Sequence, residues 1–297
     1  MLEREYIRTG PEVLKWLPVR ISRSNKGTYG KVLCIAGSLH MAGAAYLCAW
    51  AAYRTGAGLV KILTPQENRV ILQSLLPEAL LATFDTKDPE KGKTQVLEAL
   101  EWADAAAVGP GLGKEPWAYE YTRLAMEHFH KPLVVDADGL NHLAGHMELF
   151  KERQGELVVT PHPGEFGRLS RMTIPQVLSD VPGYAVRFAT EHHCICVLKD
   201  APSAVASPAG VCHVNTTGNN GMSTGGSGDV LTGIITGLLA QKVPAYEAAV
   251  LGTWLHGKAG DLAAESEGVY GMMARHLVEY LPGAMKREER MEKKDRP

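Results

Sequence analysis

One glycine-rich run that ends in a carboxylate has the residue types and spacing for phosphate chemistry: Gly225-Gly226-Ser227-Gly228-Asp229. Residues 230–235 continue it with helical apolar spacing. A glycine loop that opens a helix directs several backbone N–H groups at one point, on the positive end of the helix dipole. The run therefore predicts an anion hole, and Asp229 beside it could take the proton from a hydroxyl that attacks a phosphate. The alternative is that Asp229 only caps the helix.

Glycine is concentrated around this run. The chain has 297 residues and 31 glycines, and seven of the glycines lie within residues 218–237. The region is not a Walker loop, because Ser227 follows Gly226 where that motif requires a lysine. Gly233 and Gly237 are four residues apart on the following helix, which is more typical of close helix packing than of ligand contact. We therefore expect only the first part of the cluster to act on a ligand.

Further polar residues follow short apolar runs elsewhere in the chain. Residues 109–113, with three glycines, follow one run, Asp136 and Asp138 follow another, and Lys199 follows a third. Ligands in open α/β sheets bind outside the carboxyl ends of the strands, so we expect these residues to share one cleft. Asp136 and Asp138 could hold hydrated Mg²⁺ or substrate hydroxyls, or could only form a turn. Lys199 could neutralise a phosphate.

Two other groups of side chains are of the kinds that bind metals. His162 and Glu165 follow a fourth apolar run, but no third ligand stands at metal spacing, so the sequence does not predict a zinc site. The five cysteines are odd in number and form no C-x-x-C pair. They are interpreted as buried thiols in a reducing, cytoplasmic compartment.

The order of apolar runs and helical patterns predicts the elements that position these residues. Strands of almost continuous apolar character that alternate with helices indicate a mostly parallel sheet covered on both faces. Residues 204–206 and 211–214, joined by a Pro/Gly turn, predict an antiparallel hairpin at the sheet edge. The predicted strands are 32–36, 59–63, 105–108, 133–135, 157–159 and 195–198, and the predicted helices are 42–55, 117–129, 174–192 and 246–264.

The composition is that of a globular protein. Hydrophobic residues make up 45% and charged residues 22% of the chain, which excludes disorder over most of its length. The formal net charge of -2 argues against a nucleic-acid-binding protein. The longest apolar stretch, 42–53, is too short to cross a membrane, and the N-terminus shows no secretory signal. We expect a single domain over residues 1–285 and a charged, disordered tail over 286–297.

The stretch from Asn215 to Gly233 resembles the signature of the ADP/ATP-dependent NAD(P)H-hydrate dehydratases, which belong to the ribokinase-like superfamily. Residues 37–60, 109–113, 135–138 and 160–166 match the same family in the same order. The resemblance implies an α/β fold of three α/β/α layers around a mostly parallel central sheet. It runs from about Lys26 to about Ala264, so we expect no fused N-terminal epimerase domain of the kind found in some members.

The resemblance also implies an activity, the repair of reduced nicotinamide cofactors that have gained water across a ring double bond. The S epimer of hydrated NADH or NADPH is phosphorylated on its ring hydroxyl at the expense of ADP or ATP, with Mg²⁺. Phosphate then leaves and the double bond re-forms. The partners implied are the hydrated dinucleotide and an adenine nucleotide, without nucleic acid or membrane, in a homo-oligomer such as a tetramer.

Carried over to this sequence, the resemblance assigns Asp229 as the base on the hydroxyl. The amides of Gly226, Ser227, Gly228 and Asp229 would hold the charge of the transferring phosphoryl group.

Two ligand sets and a group of orienting residues follow from the same resemblance. The residues assigned to the hydrated dinucleotide are Ala45, Gly113, His162 and Asp229. Those assigned to the adenine nucleotide are Lys199, Asp200, Ala201, Pro202, Ser203 and Gly228. Asp136, Glu165 and Asn219 would orient the reacting groups, with Asp136 and Glu165 as candidate contacts of Mg²⁺.

The sequence departs from the family pattern beside the nucleotide loop. The usual Lys-Gly reads Lys199-Asp200, and Asp200 either adds a negative charge near the phosphates or turns away from them. The choice between ADP and ATP therefore stays open. Two other functions compete: a small-molecule kinase of the same superfamily for a vitamin precursor or sugar, and a non-catalytic nucleotide sensor. The kinase would release a stable phosphorylated product, and the sensor would be expected to lack Asp229.

Overall fold

The computed structural model describes residues 6–286, and within this range the chain forms a single ten-stranded sheet. The strands are β1 (Ile7–Thr9), β2 (Lys31–Ile35), β3 (Leu59–Pro65), β4 (Leu80–Phe84), β5 (Ala105–Val108), β6 (Leu133–Val135), β7 (Leu157–Val159), β8 (Ile195–Leu198), β9 (Ser203–Ala206) and β10 (Cys212–Asn215). Their order across the sheet is β1-β10-β9-β8-β7-β6-β5-β2-β3-β4.

The sheet is mostly parallel, as the sequence predicts. Strands β2 to β8 pair in parallel, and β9 is antiparallel to both β8 and β10. The antiparallel hairpin is therefore confirmed, but it lies one strand inside the edge. The short strand β1 pairs in parallel with the outer side of β10, with Ile7 opposite His213. The sequence analysis did not predict β1, because Ile7-Arg8-Thr9 is not a continuous apolar run.

Helices cover both faces of the sheet and complete three layers. They are α1 (Ala42–Thr55), α2 (Arg69–Leu75), α3 (Pro89–Trp102), α4 (Pro116–His128), α5 (Asp138–Leu143), α6 (Glu148–Glu152), α7 (Pro163–Ser170), α8 (Ile174–Ser179), α9 (Val181–Glu191), α10 (Ser227–Ala240), α11 (Ala245–Gly271) and α12 (Ala274–Ala284). One buried core joins α1, α10, α11 and α12 to one face of the sheet. A second core joins helices α3 to α9 to the other face.

The single helix predicted over 174–192 is wrong, because the structure has two helices, α8 and α9, in that range. The break falls at Asp180, whose backbone is extended at φ -159° and whose side chain accepts a hydrogen bond from the amide of Gly183. Pro182 lies in the first turn of α9, where proline is favoured because it has no N–H to leave unpaired. The Asp-Val-Pro-Gly sequence thus starts a new helix instead of continuing the old one.

Helices α1 and α10 approach each other closely through glycine. A Cβ atom at Gly233 would lie 2.1 Å from the carbonyl oxygen of Cys48, and one at Gly237 would lie 2.9 Å from that of Ala52. The prediction that these two glycines serve packing is confirmed. The contact fixes α10 against the sheet and so determines where its N-terminus lies.

Three further predictions, on the cysteines, the C-terminal tail and membrane spans, can also be compared with the structure. All five cysteines are buried and have free thiols, as predicted. The predicted tail over 286–297 lies outside the described residues apart from Lys286. None of the helices within residues 6–286 combines the length and the apolar character that crossing a membrane requires.

Candidate active site

Three charged residues that follow predicted strands meet at the carboxyl ends of neighbouring strands. Asp136 follows β6, Glu165 lies in the first turn of α7 after β7, and Lys199 follows β8. The Nζ atom of Lys199 lies 2.9 Å from Oδ1 of Asp136 and 3.8 Å from Oε2 of Glu165. The carboxylate of Asp136 is 1% exposed. Burial alone would lower the pKa of Lys199, but the two carboxylates raise it, so the amine stays charged.

The second oxygen of Asp136 is held by the glycine-rich helix. Thr232 on α10 is fully buried and donates a hydrogen bond of 2.8 Å from its hydroxyl to Oδ2 of Asp136. Thr232 lies one helical turn beyond Asp229, so this bond fixes the rotation of α10 beside the acidic group. Both carboxylate oxygens of Asp136 are therefore engaged by protein partners, which favours a role in orienting neighbouring groups.

Gly226, and not Asp229, is the N-cap of α10. Its backbone is left-handed at φ 94°, and a Cβ atom there would lie 2.5 Å from Cδ1 of Leu47, so only glycine fits without strain. Asp229 is the third residue of the helix, and the alternative that it serves as the cap is wrong. The amides of Gly228 and Asp229 lie in the first turn, where N–H groups have no acceptor within the helix.

The space around the glycine run is open where a phosphate would lie. A Cβ atom at Gly225 would meet no atom within 4 Å, and one at Gly228 would lie 3.3 Å from Nζ of Lys199. The first turn of α10 therefore presents amides beside a partly buried cation. Amides at a helix N-terminus and a lysine together favour an anion.

Asp229 has the protonation behaviour that a base at this site requires. Burial raises its pKa to about 7, and the charges of Asp136, Asp138 and Glu165 act in the same direction, whereas Lys199 opposes them. A general base is most effective when its pKa lies near the working pH. Asp229 can therefore accept a proton from a neutral hydroxyl near pH 7.

His256 on α11 holds the start of the same helix, and the sequence analysis did not identify it. Its Nε2 atom lies 2.9 Å from the carbonyl oxygen and 3.3 Å from the hydroxyl of Ser227. Burial lowers the pKa of His256 to about 4, so the neutral ring donates to Ser227 from Nε2. A histidine within the apolar run of α11 was the one signal in the sequence.

His162 and Glu165 cap α7 for each other. Nδ1 of His162 accepts a hydrogen bond of 3.0 Å from the amide of Gly164, and Oε2 of Glu165 accepts one of 2.8 Å from the amide of His162. Burial raises the pKa of Glu165 and lowers that of His162. Across residues 6–286, no three His, Cys, Asp or Glu side chains are grouped so that they could hold a metal ion.

Gly113 and Ala45, both assigned to the dinucleotide, have different surroundings. The amide of Gly113 donates 2.8 Å to Oδ2 of Asp138, and its carbonyl oxygen lies 2.8 Å from Nε2 of His142. Gly113 also lines a cleft of ≈ 670 Å³ together with Ser38 and Trp117. Ala45 is fully buried in the first turn of α1, so the assignment of its contact with substrate stays a prediction.

The nucleotide loop after β8 is closed by its own hydrogen bonds. The Ser203 hydroxyl donates 2.8 Å to the carbonyl oxygen of Asp200 and accepts 3.2 Å from the Asp200 amide. Ala201 and Pro202, between them, are exposed. Asp200 is also exposed, and both of its hydrogen bonds to Ser203 use its backbone.

Asn219 shapes the loop ahead of the glycine run. Its Oδ1 accepts 3.0 Å from the amide of Gly221, and its Nδ2 donates 3.2 Å to Oδ1 of Asp261 on α11. The amide of Gly218 donates to the same carboxylate at 3.2 Å. Asp261 thus anchors the loop from a distant helix, and the sequence analysis did not identify it either.

Comparison with known proteins gives one consistent result. A family model described as NAD(P)H-hydrate dehydratase matches residues 32–283. The chain is 40% identical to a bifunctional NAD(P)H-hydrate repair enzyme of Moorella thermoacetica, over 92% of this chain and 52% of that protein. The chain therefore spans about half the length of this curated relative. It is 39% identical to an ADP-dependent (S)-NAD(P)H-hydrate dehydratase of Neisseria meningitidis, over 90% of this chain and 88% of that protein.

A solved structure agrees with the sequence comparison. The fold superimposes with a TM-score of 0.84 on an ADP/ATP-dependent NAD(P)H-hydrate dehydratase from Bacillus subtilis that was co-crystallised with ATP and Mg²⁺. The two share 31% identity, and the match covers 94% of this chain and 97% of the other. The family match over residues 32–283 and the relative that is 39% identical show that this chain, with its glycine-Asp helix start, belongs to the NAD(P)H-hydrate dehydratase family.

Proposed function

We propose that this protein is a nucleotide-dependent NAD(P)H-hydrate dehydratase. It would return the S epimer of hydrated NADH or NADPH to the reduced cofactor by phosphorylating the ring hydroxyl with ADP or ATP and eliminating phosphate. One observation supports the proposal most directly: Asp229, with a pKa raised to about 7, lies in the first turn of α10 beside open amides and Lys199. That arrangement suits phosphoryl transfer to a hydroxyl.

In the first step the hydroxyl of the hydrate attacks the terminal phosphorus of the nucleotide. Asp229 takes the hydroxyl proton as the new O–P bond forms and the phosphoanhydride bond breaks. The amides at the start of α10 stabilise the charge on the transferring group, because they are already oriented before the reaction begins. Lys199, held by Asp136 and Glu165, adds a fixed positive charge on the same side.

In the second step the ring carbon–oxygen bond breaks and inorganic phosphate leaves. The neighbouring ring carbon loses a proton to the departing phosphate or to water, and the double bond re-forms. Phosphorylation matters because phosphate is a much better leaving group than hydroxide. The net reaction converts one hydrate and one nucleotide into the reduced cofactor, phosphate and the shortened nucleotide.

Magnesium fits this site as a companion of the nucleotide. Mg²⁺ keeps several waters and takes one or two carboxylates together with substrate phosphates. Asp136 and Glu165 offer carboxylates on the phosphate side, but their oxygens already contact Lys199, Thr232 and His162, so water-mediated contact suits them best. When bound, the ion would neutralise phosphate oxygens during transfer.

The proposal also covers the phosphoryl donor, the compartment, the domain bounds and the oligomeric state. Both ADP and ATP are retained as phosphoryl donors, because the exposed Asp200 does not distinguish between them. Free buried thiols support a reducing, cytoplasmic compartment. The one sheet shared by both cores supports a single domain over residues 1–285. A homo-oligomer is proposed from the family resemblance.

The test uses purified protein with NADH hydrate, Mg²⁺ and either ADP or ATP. Return of reduced-nicotinamide absorbance with one phosphate released per NADH supports the dehydratase. A stable phosphorylated hydrate that accumulates without NADH would favour a kinase. If neither nucleotide restores the absorbance and no phosphorylated product forms, the proposed function is wrong.

A further inference from the structure

Arg168 on α7 is placed by a chain of hydrogen bonds that reaches the predicted substrate site. Its Nε atom donates 2.8 Å to Oδ1 of Asn141 on α5. Nδ2 of Asn141 lies 3.5 Å from Oδ1 of Asp138, and Oδ2 of Asp138 accepts 2.8 Å from the amide of Gly113. The guanidinium of Arg168 is thus oriented relative to Gly113, although α7 and the Gly113 loop follow different strands.

Arg168 also lies close enough to His162 and Glu165 for its charge to affect both residues. Its positive charge reinforces the burial that lowers the pKa of His162, and it opposes the burial that raises the pKa of Glu165. His162 and Gly113 are two of the residues assigned to the hydrated dinucleotide. Arg168 therefore lies beside the path that joins them.

The negative charge of the site means that a bound diphosphate needs a cation that is not already paired with a carboxylate, and Arg168 is such a cation. The site has the carboxylates of Asp136, Asp138, Glu165 and Asp229, and its partly buried cation, Lys199, is held by two of them. A dinucleotide carries two negative charges on the diphosphate that joins its halves. In the described part of the chain, no carboxylate lies within 4.0 Å of the Arg168 guanidinium, and its side chain is exposed.

We propose that Arg168 binds the diphosphate bridge of the hydrated dinucleotide. Asn141 occupies Nε, which leaves both terminal nitrogens for a paired contact with phosphate oxygens, the geometry at which arginine is most effective. The nicotinamide half then reaches Asp229, and the adenosine half passes Gly113 into the cleft of ≈ 670 Å³ lined by Ser38, His40, Lys114 and Trp117. This inference rests on the proposed function.

The test compares Arg168→Gln with Arg171→Gln, since Arg171 is an exposed arginine at the C-cap of the same helix. Two substrates are used: NADH hydrate and the hydrate of reduced nicotinamide riboside, which has no phosphate. Arg168→Gln is expected to raise KM for NADH hydrate by about 10- to 100-fold, the range for a hydrogen bond to a charged group. KM for the riboside hydrate and for ATP should stay at the wild-type value, and Arg168→Lys should restore part of the loss.

Three outcomes would overturn the assignment. Arg168→Gln could leave KM for NADH hydrate unchanged, or it could weaken both hydrates equally, which would mean that it acts by holding Asn141. Alternatively, Lys114→Gln and not Arg168→Gln could raise KM for NADH hydrate, which would place the diphosphate on the other side of Gly113. A wild-type protein without dehydratase activity would refute the proposed function instead. Equilibrium dialysis of NADH, with AMP saturating the nucleotide loop, would still test Arg168 by comparing the two proteins.

Discussion

Lys199 and Asp136 are 63 residues apart in the chain, and their side chains form a contact of 2.9 Å between Nζ and Oδ1 at the carboxyl edge of the sheet. The contact joins the start of the nucleotide loop to the residue that Thr232 of α10 also holds. The loop that is proposed to bind nucleotide and the helix that carries Asp229 are therefore mechanically connected.

Replacing Lys199 is expected to lower both the stability of the fold and the activity. Lys199→Met leaves Asp136 and Glu165 partly desolvated with no positive charge between them, and should lower the free energy of unfolding by about 3 kcal/mol. Urea denaturation at pH 8 measures the loss. The double variant Lys199→Met/Asp136→Asn removes the unpaired charge and should recover part of it. A double variant no more stable than the single one would contradict this explanation.

Replacing the base should separate binding from chemistry. Asp229→Asn retains the shape of the side chain but cannot accept the hydroxyl proton, so the turnover rate should fall by about 10²- to 10⁴-fold. Binding of ATP, measured by calorimetry, should match that of the wild type. Turnover close to the wild-type rate would reject the role assigned to Asp229.

The raised pKa of Asp229 predicts the pH dependence of the reaction. The base must be ionised to act, and its pKa is about 7, so kcat/KM should rise with pH through a midpoint near 7 and level off at about pH 8. His256 has a pKa of about 4 and is neutral throughout this range. His256→Gln should therefore leave the midpoint of the profile in place, even if it lowers the rate by loosening Ser227. If the midpoint moves in this variant, the titrating group is not Asp229.

The same shift affects stability with a defined sign. The pKa of Asp229 is higher in the folded protein than its ordinary value of 3.8. As the pH rises, the carboxyl group therefore ionises first in the unfolded chain, and this ionisation stabilises the unfolded state relative to the folded one. Stability should be lost between about pH 4 and pH 7. Because Asp229→Asn does not ionise, its free energy of unfolding should exceed that of the wild type by up to about 4 kcal/mol at pH 8 and match it at pH 4. Thermal melting at the two pH values measures the difference, and an equal gain at both would argue against ionisation as the cause.

Two glycine variants should divide the cluster into its two roles. Gly233→Ala places a methyl group against the carbonyl oxygen of Cys48 and should destabilise the fold by about 1–3 kcal/mol. Gly225→Ala enters open space, so its melting temperature should match that of the wild type while nucleotide-dependent turnover falls. Equal effects of both variants on stability would mean that the cluster has only a packing role.

The sequence was sufficient for most of the sheet. Strands β5, β6, β7 and β8 have the predicted bounds, because buried parallel strands are continuous apolar runs. The meeting of Asp136, Glu165 and Lys199 was predictable for a related reason, since the carboxyl ends of parallel strands share one edge. Family membership, expected from the run around Asp229, is confirmed by the comparisons.

Other features depend on how helices rotate and pack, which a linear pattern does not encode. The Thr232–Asp136 bond joins residues 96 positions apart, and the His256–Ser227 contact depends on the facing of α11 towards α10. Whether Asp229 caps the helix or lies inside it depends on a shift of three residues at a helix end, which the glycine run left undecided. Strand β4 was not predicted either, because its first residue, Leu80, is exposed at the sheet edge.

The position of β1 has a practical consequence for recombinant work. The family match begins at residue 32, whereas Ile7–Thr9 pairs with β10 and Val13 is buried in the core beside α11. A fragment trimmed to the match would leave the hydrogen-bonding groups of β10 without their neighbour, and an open strand of this kind is a template for pairing between molecules. Such a fragment is expected to aggregate during expression, whereas one that begins at residue 6 should remain dispersed.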